Sequence, residues 1–375
     1  MPGQRRIIYL GWQGFGNFGD DLLHDTWKGA LADPLELQAP VTRRAYLKAA
    51  PKVIGQRMSL TGAERIILLG GGTTIGFQNW GRAAHLALRY YRAEGLVIAG
   101  SGAAAPHDRF ALGLQRDDWE TWRALRDVAL CGVRGPLTAD VCVRQWRATN
   151  VIGDPALLYP LQVGLPSRGT SQHLIGVCLG ASPATRFSTA TVVRAITAYR
   201  AAYPESLVRV LQLFPEDAGT AQDLASRLDS AVVTFDGNVR AMVRAIGECS
   251  VLLSERLHGA VVGVASGVPT VPLAYASKCD DFWLSVTGES PNLQVGATSE
   301  QIAEELRRAT EPSRISVVAD HVRCLQDSLE KVVAAVRQWK TGQLTTGELL
   351  SWANGEVRAT TSSPIGVGAQ SETSK

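Results

Sequence analysis

Short apolar runs alternate with stretches of helical periodicity through almost the whole chain, and no other feature narrows its fold as far. In the first half the runs are Ile7 to Leu10, Arg65 to Leu69, Gly95 to Ala99, Val128 to Val133 and Asn150 to Ile152, each ending in glycine or a polar turn. Such runs, alternating with helical patterns of ten to fifteen residues, are the signature of parallel sheets with crossover helices. Helical segments between such strands force parallel pairing by crossover, so the fold class is α/β.

From Leu157 to Thr170 the chain carries Pro160, Gly164, Pro166 and Gly169 without a helical period, which predicts a linker. The pattern then restarts. Strands are expected at 174–179, 207–213, 231–235, 251–254 and 268–273, with helices at 189–202, 218–228, 239–248 and 257–265. At 375 residues and 45% hydrophobic the chain is too long for one ordinary domain. Two Rossmann-like parallel-sheet domains facing across a cleft are therefore predicted, the glycosyltransferase-B-like arrangement, with ligands at the carboxyl ends of the strands. The expected divisions are 1–165, 166–315, a helical segment at 316–353 and a disordered tail at 354–375. Apolar positions 318, 322, 325, 329, 332, 336 and 339 step by four and three, which marks a one-faced helix. Core packing across both domains is its expected use; a dimer seam is the weaker alternative, and a homo-oligomer stays open.

Charge excludes several functions. Lys and Arg total 38 against 35 acids, a net charge of +3, too small a field to argue for nucleic acid or a membrane surface. After Arg5 and Arg6 only Ile7 to Leu10 are apolar before Gly11, too short for a signal peptide. The longest uncharged run, Ala260 to Ser277, falls below the roughly 20 residues of a spanning helix and contains Pro269 and Pro272. A cytoplasmic protein is expected, with the inner face of the membrane as a second location. The six cysteines form no CxxC pair and the six histidines no HExxH or HxH pair, so buried thiols in a reducing compartment and no metal site are expected.

The loop Gly11-Trp12-Gln13-Gly14-Phe15-Gly16-Asn17-Phe18-Gly19-Asp20-Asp21, ahead of a helix expected at 22–31, matches GxGxxG. A dinucleotide site is one reading. Against it, Asp20 and Asp21 stand at the helix start where a pyrophosphate needs donors, and Glu36 lies within LELQ rather than at a clear strand end. Asp20 could simply cap the helix, a contribution of about 1 kcal/mol, or be a carboxylate held inside the cleft. Gly70-Gly71-Gly72-Thr73-Thr74 offers bare backbone after a strand, and Arg134 closes another before Gly135-Pro136 opens a helix. The most informative segment is Ser254-Glu255-Arg256-Leu257-His258-Gly259-Ala260, followed by Gly267-Val268-Pro269, Tyr275, Lys278 and Asp281. Arg256 and His258 flank a helix start and Lys278 follows the next strand, a cation cluster suited to a small, highly charged anion.

Together GFGNFGDD (14–21), LLGGGT (68–73), VRGPLT (133–138), GDPALL (153–158), SERLHGA (254–260) and GVPTVPLAYASK (267–278) resemble, in order and spacing, the polysaccharide pyruvyl transferases. The segment at Ser101 to Pro106 departs from the more glycine-rich turn of many members. The resemblance implies phosphoenolpyruvate as co-substrate with no further cofactor. It also implies an acceptor sugar in a cell-surface glycan, such as an exopolysaccharide, or in its lipid-linked precursor, acceptor on the N-terminal side and donor on the C-terminal side. Residue by residue it points to His258, Asp20 and Arg134 as catalytic and to Arg256 and Lys278 as substrate-binding, with Asn17, Gly71, Gly72, Thr73 and Gly259 beside the substrates. On this reading His258 is the acid and Asp20 the base. A nucleotide-sugar glycosyltransferase of the same fold, with Glu248 and Glu255 as its acidic pair, and an NAD-dependent oxidoreductase are the alternatives.

Overall fold

The computed structural model describes residues 4–103, 105, 118–164, 173–181 and 187–361. They form two parallel five-stranded sheets. The first contains β1 (Arg5–Leu10), β2 (Glu64–Leu69), β3 (Thr73–Ile75), β4 (Gly95–Ala103) and β5 (Val128–Val133). Strands β1, β2, β4 and β5 lie side by side, and β3 pairs with the far end of β4. The second contains β6 (Leu174–Cys178), β7 (Leu207–Gln212), β8 (Ala231–Thr234), β9 (Val251–Ser254) and β10 (Thr270–Pro272), in the order β10-β9-β6-β7-β8. In both sheets the central strands are buried along nearly their whole length, which explains their uninterrupted apolar sequences.

The expected strands and helices are present, and the differences have local causes. The run 150–152 makes only one bridge, Val151 to Val133, because Gly153 turns with φ +88° and Asp154 then caps a short 3₁₀ turn at Pro155–Leu158. That turn and the helix Tyr159–Gln162 replace the first part of the expected linker; Leu157, Leu158 and Tyr159 are buried, and proline sits in the first turn where its missing N–H costs nothing. Residues 165–170 lie outside the described residues. The helix after β1 starts at Phe18, a turn earlier than Leu22, since the Asn17 side chain accepts from the Gly19 amide at 3.0 Å and caps it. Asp20 is therefore not the cap.

The long one-faced helix spans Pro312–Lys340, with Val322, Leu325, Leu329, Val332, Val336 and Trp339 buried. Its packing is intramolecular. Gln326 donates to the Leu157 carbonyl at 2.8 Å, and the Arg5 guanidinium bonds the Trp339 carbonyl while lying over its ring. The chain thus returns to the first sheet, where the helix Thr346–Thr361 packs against β5 and Thr346 bridges Trp339 and Glu94. This helix runs past Asn354, where the sequence predicts disorder, because its packed first turns nucleate the turns beyond them; residues 362–375 lie outside the described residues. Among the described residues no helix is long and apolar enough to cross a membrane.

Candidate active site

Loops from the carboxyl ends of both sheets meet around a cavity of about 550 Å3. From the first sheet it receives Asn17 and Asp20 beyond β1, Gly71, Gly72 and Thr73 beyond β2, and Arg134 beyond β5; from the second, Arg256 and His258 beyond β9 and Lys278 beyond β10. Nine of the residues singled out in the sequence thus share one space. Gly259 does not line it; a Cβ there would collide with the Ser254 hydroxyl, so this glycine lets the helix Leu257–Ala265 approach β9. Tyr9, Trp12, Val41, Thr42, Asn79 and Trp80 complete the N-terminal wall, and Phe214 and Tyr275 the other.

The third glycine of the GxGxxG match has a specific task. A Cβ on Gly19 would stand 2.7 Å from both Cγ and Cε1 of His258 and closer still to Nδ1. The imidazole of one domain therefore lies on the bare first turn of a helix in the other. Asp21 turns away, accepting from the Gly14 amide at 2.6 Å, while Asp20 faces the cavity.

Arg134, Arg256 and His258 each face a carboxylate that the motifs alone do not pair with them. Arg134 is fully buried: Nε lies 3.6 Å from Asp281 Oδ2, and one terminal nitrogen donates to Thr73 Oγ1 at 3.2 Å. Among the described residues, Nε and the other terminal nitrogen have no hydrogen-bond acceptor. Asp281 is held by the Thr138 amide at 3.0 Å and hydroxyl at 2.7 Å. Arg256 is engaged more completely than expected, donating through Nε to Asp217 Oδ2 at 2.9 Å and through a terminal nitrogen to Oδ1. Its guanidinium is shared with a buried partner instead of being reserved for a ligand. Lys278 Nζ lies 4.9 Å from the centre of the Tyr275 ring. His258 Nε2 stands 3.7 Å from Asp154 Oδ2, and Asp154 is fully buried.

Burial, reinforced by Asp21 and opposed by Lys278, pushes the Asp20 carboxyl up to about 7. Burial lowers His258 below the usual imidazole range; Arg134 and Lys278 act in the same direction and Asp154 against them. Both helix starts that flank the ring also disfavour a cation there. At neutral pH the site holds a neutral imidazole and a carboxyl near its midpoint, a pair able to move protons in either direction.

The acidic pair considered for a nucleotide ribose is absent from the cavity lining. Glu248 pairs with Arg209 at 2.8 Å, and Glu255 accepts from the Gly180 and Phe187 amides at 2.7 and 3.2 Å. Both are used in holding the second domain together.

A family model of polysaccharide pyruvyl transferases matches residues 17–277. The chain belongs to the polysaccharide pyruvyl transferase family. The match spans Asn17, Asp20, the glycines after β2, Arg134, Arg256 and His258 and ends one residue before Lys278. No curated protein matches the sequence. Among solved structures, S. aureus MnaA in complex with UDP is similar with a TM-score of 0.60 at 10% identity, over 91% of this chain and 98% of that one. A Neisseria meningitidis UDP-GlcNAc 2-epimerase is similar with a TM-score of 0.55 at 10% identity, over 88% and 98%. At such identity the likeness is one of fold: two Rossmann-like domains in the glycosyltransferase-B-like arrangement.

Proposed function

We propose that this member of the family transfers the pyruvyl group of phosphoenolpyruvate onto two hydroxyls of a sugar, forming a cyclic ketal and releasing phosphate. The acceptor on this reading is a cell-surface glycan or its lipid-linked precursor. The observation that carries the reading is the convergence of Arg134, Arg256, Lys278 and His258, from the strand ends of both sheets, on one cavity. Cations gathered at a partly buried cavity are costly to desolvate and favour a small, highly charged anion. Phosphoenolpyruvate presents a carboxylate and a phosphate on one small frame, suited to Arg134 on one side and Lys278 on the other.

Trp12, Trp80 and Tyr9 give the sugar apolar rings to lie against, with Asn79 and Thr42 for its hydroxyls. His258, neutral in the empty cavity, is the base for the attacking hydroxyl. Asp20, whose proton is retained to about neutrality and more firmly once an anion enters, is the acid that protonates the donor methylene. This reverses the roles suggested by the sequence. The first addition is proton-neutral, one proton leaving the hydroxyl and one arriving at the methylene, and gives a tetrahedral ketal phosphate. The C–O bond to phosphate then breaks, the second hydroxyl closes the ring, and its proton departs with the phosphate.

Incubation with phosphoenolpyruvate and a panel of aryl or lipid-linked glycosides tests the reading. Acceptor-dependent phosphate release, with product heavier by one pyruvate less one water, is expected. Tight binding of a nucleotide diphosphate with no phosphate release from any acceptor would replace this chemistry with a nucleotide-sugar reaction.

A further inference from the structure

We infer that Asp154 is a positioning residue for His258: its buried carboxylate accepts the Nε2 proton, fixes the ring as the Nε2–H tautomer, and leaves Nδ1 as the atom that takes a proton in the cavity.

Four observations converge. First, Asp154 Oδ2 and His258 Nε2 face each other at 3.7 Å, and among the described residues neither has a hydrogen-bond partner. Two sealed polar atoms with complementary chemistry, a little beyond the roughly 3 Å of a hydrogen bond, are costly unless they serve each other. Secondly, the other carboxylate oxygen is already committed, accepting from the Ala156 amide at 3.0 Å, so the direction in which Oδ2 points is fixed by the start of the 3₁₀ turn. Thirdly, Nδ1 lies against Gly19, next in sequence to Asp20, so the nitrogen left without a proton is the one on the Asp20 side. Fourthly, burial, with Arg134, Lys278 and two helix starts acting in the same direction, keeps the ring neutral, and a neutral imidazole needs its tautomer specified before it can act as a base.

The two partners come from different domains: Asp154 follows the last strand-like segment of the first, and His258 opens a helix of the second. Base activation is thereby tied to the relation between the domains. A closure of under about 1 Å would bring the pair to hydrogen-bond length, and the same movement narrows the cavity. The carboxylate accepts a hydrogen bond and stabilises the imidazolium that forms when the hydroxyl proton arrives.

The test uses the full-length protein. Asp154→Asn retains an oxygen for the Ala156 amide but places an NH2 group opposite Nε2, imposing the Nδ1–H tautomer; Asp154→Ser keeps a hydroxyl for the cap and removes the partner. Long-range proton–nitrogen spectra of histidine-labelled protein, with His258→Gln to assign the signal among the six histidines, read the tautomer directly. The wild type is expected to show Nε2–H, the Asn variant Nδ1–H and the Ser variant a mixture. For kinetics, which rest on the pyruvyl-transfer reading, kcat is expected to fall about 100-fold or more in the Asn variant and less in the Ser variant, with KM for phosphoenolpyruvate within about threefold. An Nδ1–H ring in the wild type, or a tautomer unchanged in the Asn variant, overturns the inference. The expected tautomers in a wild-type protein that does not turn over phosphoenolpyruvate would sustain it while removing the reaction proposed above.

Discussion

Gly19→Ala is the substitution whose effect can be worked out most fully. The new methyl would sit 2.7 Å from two carbons of the His258 ring and nearer still to Nδ1, where contact needs about 3.3–3.5 Å, so the ring must retreat by more than about 1 Å. A displacement of that size in a proton-transfer group lowers kcat about 100-fold. The fold survives: alanine gains about 1 kcal/mol of helix propensity over glycine in this first turn, against an overpacking cost of about 1–3 kcal/mol. Gly14→Ala is the control. Gly14 is left-handed with φ +84° and has nothing within 4 Å of its would-be Cβ, so alanine there costs about 1–2 kcal/mol of backbone strain without touching the ring. Initial rates of acceptor-dependent phosphate release and thermal melts of both variants separate the effects. The first is expected to lose turnover with little stability, the second stability with turnover within about threefold. Near wild-type kcat in Gly19→Ala, or equal losses in both, would show that the imidazole on the bare helix turn has no part in the reaction.

Arg134→Lys keeps the charge but loses the fork, and kcat/KM for phosphoenolpyruvate is expected to fall about 100-fold in steady-state assays; a change of under about tenfold would put the donor elsewhere. For Asp20 the native carboxyl titrates at about 7 against an ordinary 3.8, so the native state holds the proton more tightly than the unfolded chain and stability is lost as pH rises through that window. Asp20→Asn removes this dependence: its melting temperature relative to wild type should climb between about pH 4 and 7 and level off above, and a constant gap would contradict the raised value. Asp217→Ala strands the Arg256 guanidinium and is expected to cost about 2 kcal/mol, since Asp217 is fully buried but Arg256 opens on the cavity. Thermal unfolding of Asp217→Ala/Arg256→Ala should then show a loss well below the sum of the single variants, and strict additivity would mean that the pair is not coupled.

The sequence displays the frame of this site more clearly than its wiring. Strand ends are marked by a change from apolar to glycine or charge, and residues such as Arg134 and Lys278 announce themselves by interrupting very apolar βαβ units. Pairing across long separations is not displayed. Asp217 reaches Arg256 over 39 residues and Asp281 reaches Arg134 from the other domain, so no local spacing could join them. Asp154 sits inside GDPALL, where the visible signal is Asp-Pro at the start of a turn, a capping pattern that conceals its second oxygen. The same applies to Gly19. Its place in GxGxxG suggests close packing of helix and strand, yet the space it leaves is filled by a side chain more than 200 residues away, as the numbering of Gly19 and His258 shows. The aromatic wall is hidden for another reason: Tyr9 reads as part of a strand, and Trp12 and Trp80 as scattered aromatics, until the loops bring them to one side.

The distribution of the carboxylates explains how so many cations can share a small space before a ligand arrives. Bare guanidinium and ammonium groups gathered in a buried pocket would repel one another and resist desolvation. Here Arg134 has Asp281, Arg256 has Asp217 and His258 has Asp154, and Asp281 and Asp217 are themselves pinned by the Thr138 and Ala181 amides. Carboxylates held in this way cannot follow the cations, so an incoming anion meets donors that are already oriented and need not be reorganised. Two of the three pairs, Arg134 with Asp281 and His258 with Asp154, cross between the domains. Separation of the domains would therefore take Asp281 from Arg134 and Asp154 from His258 while leaving Arg256 with Asp217.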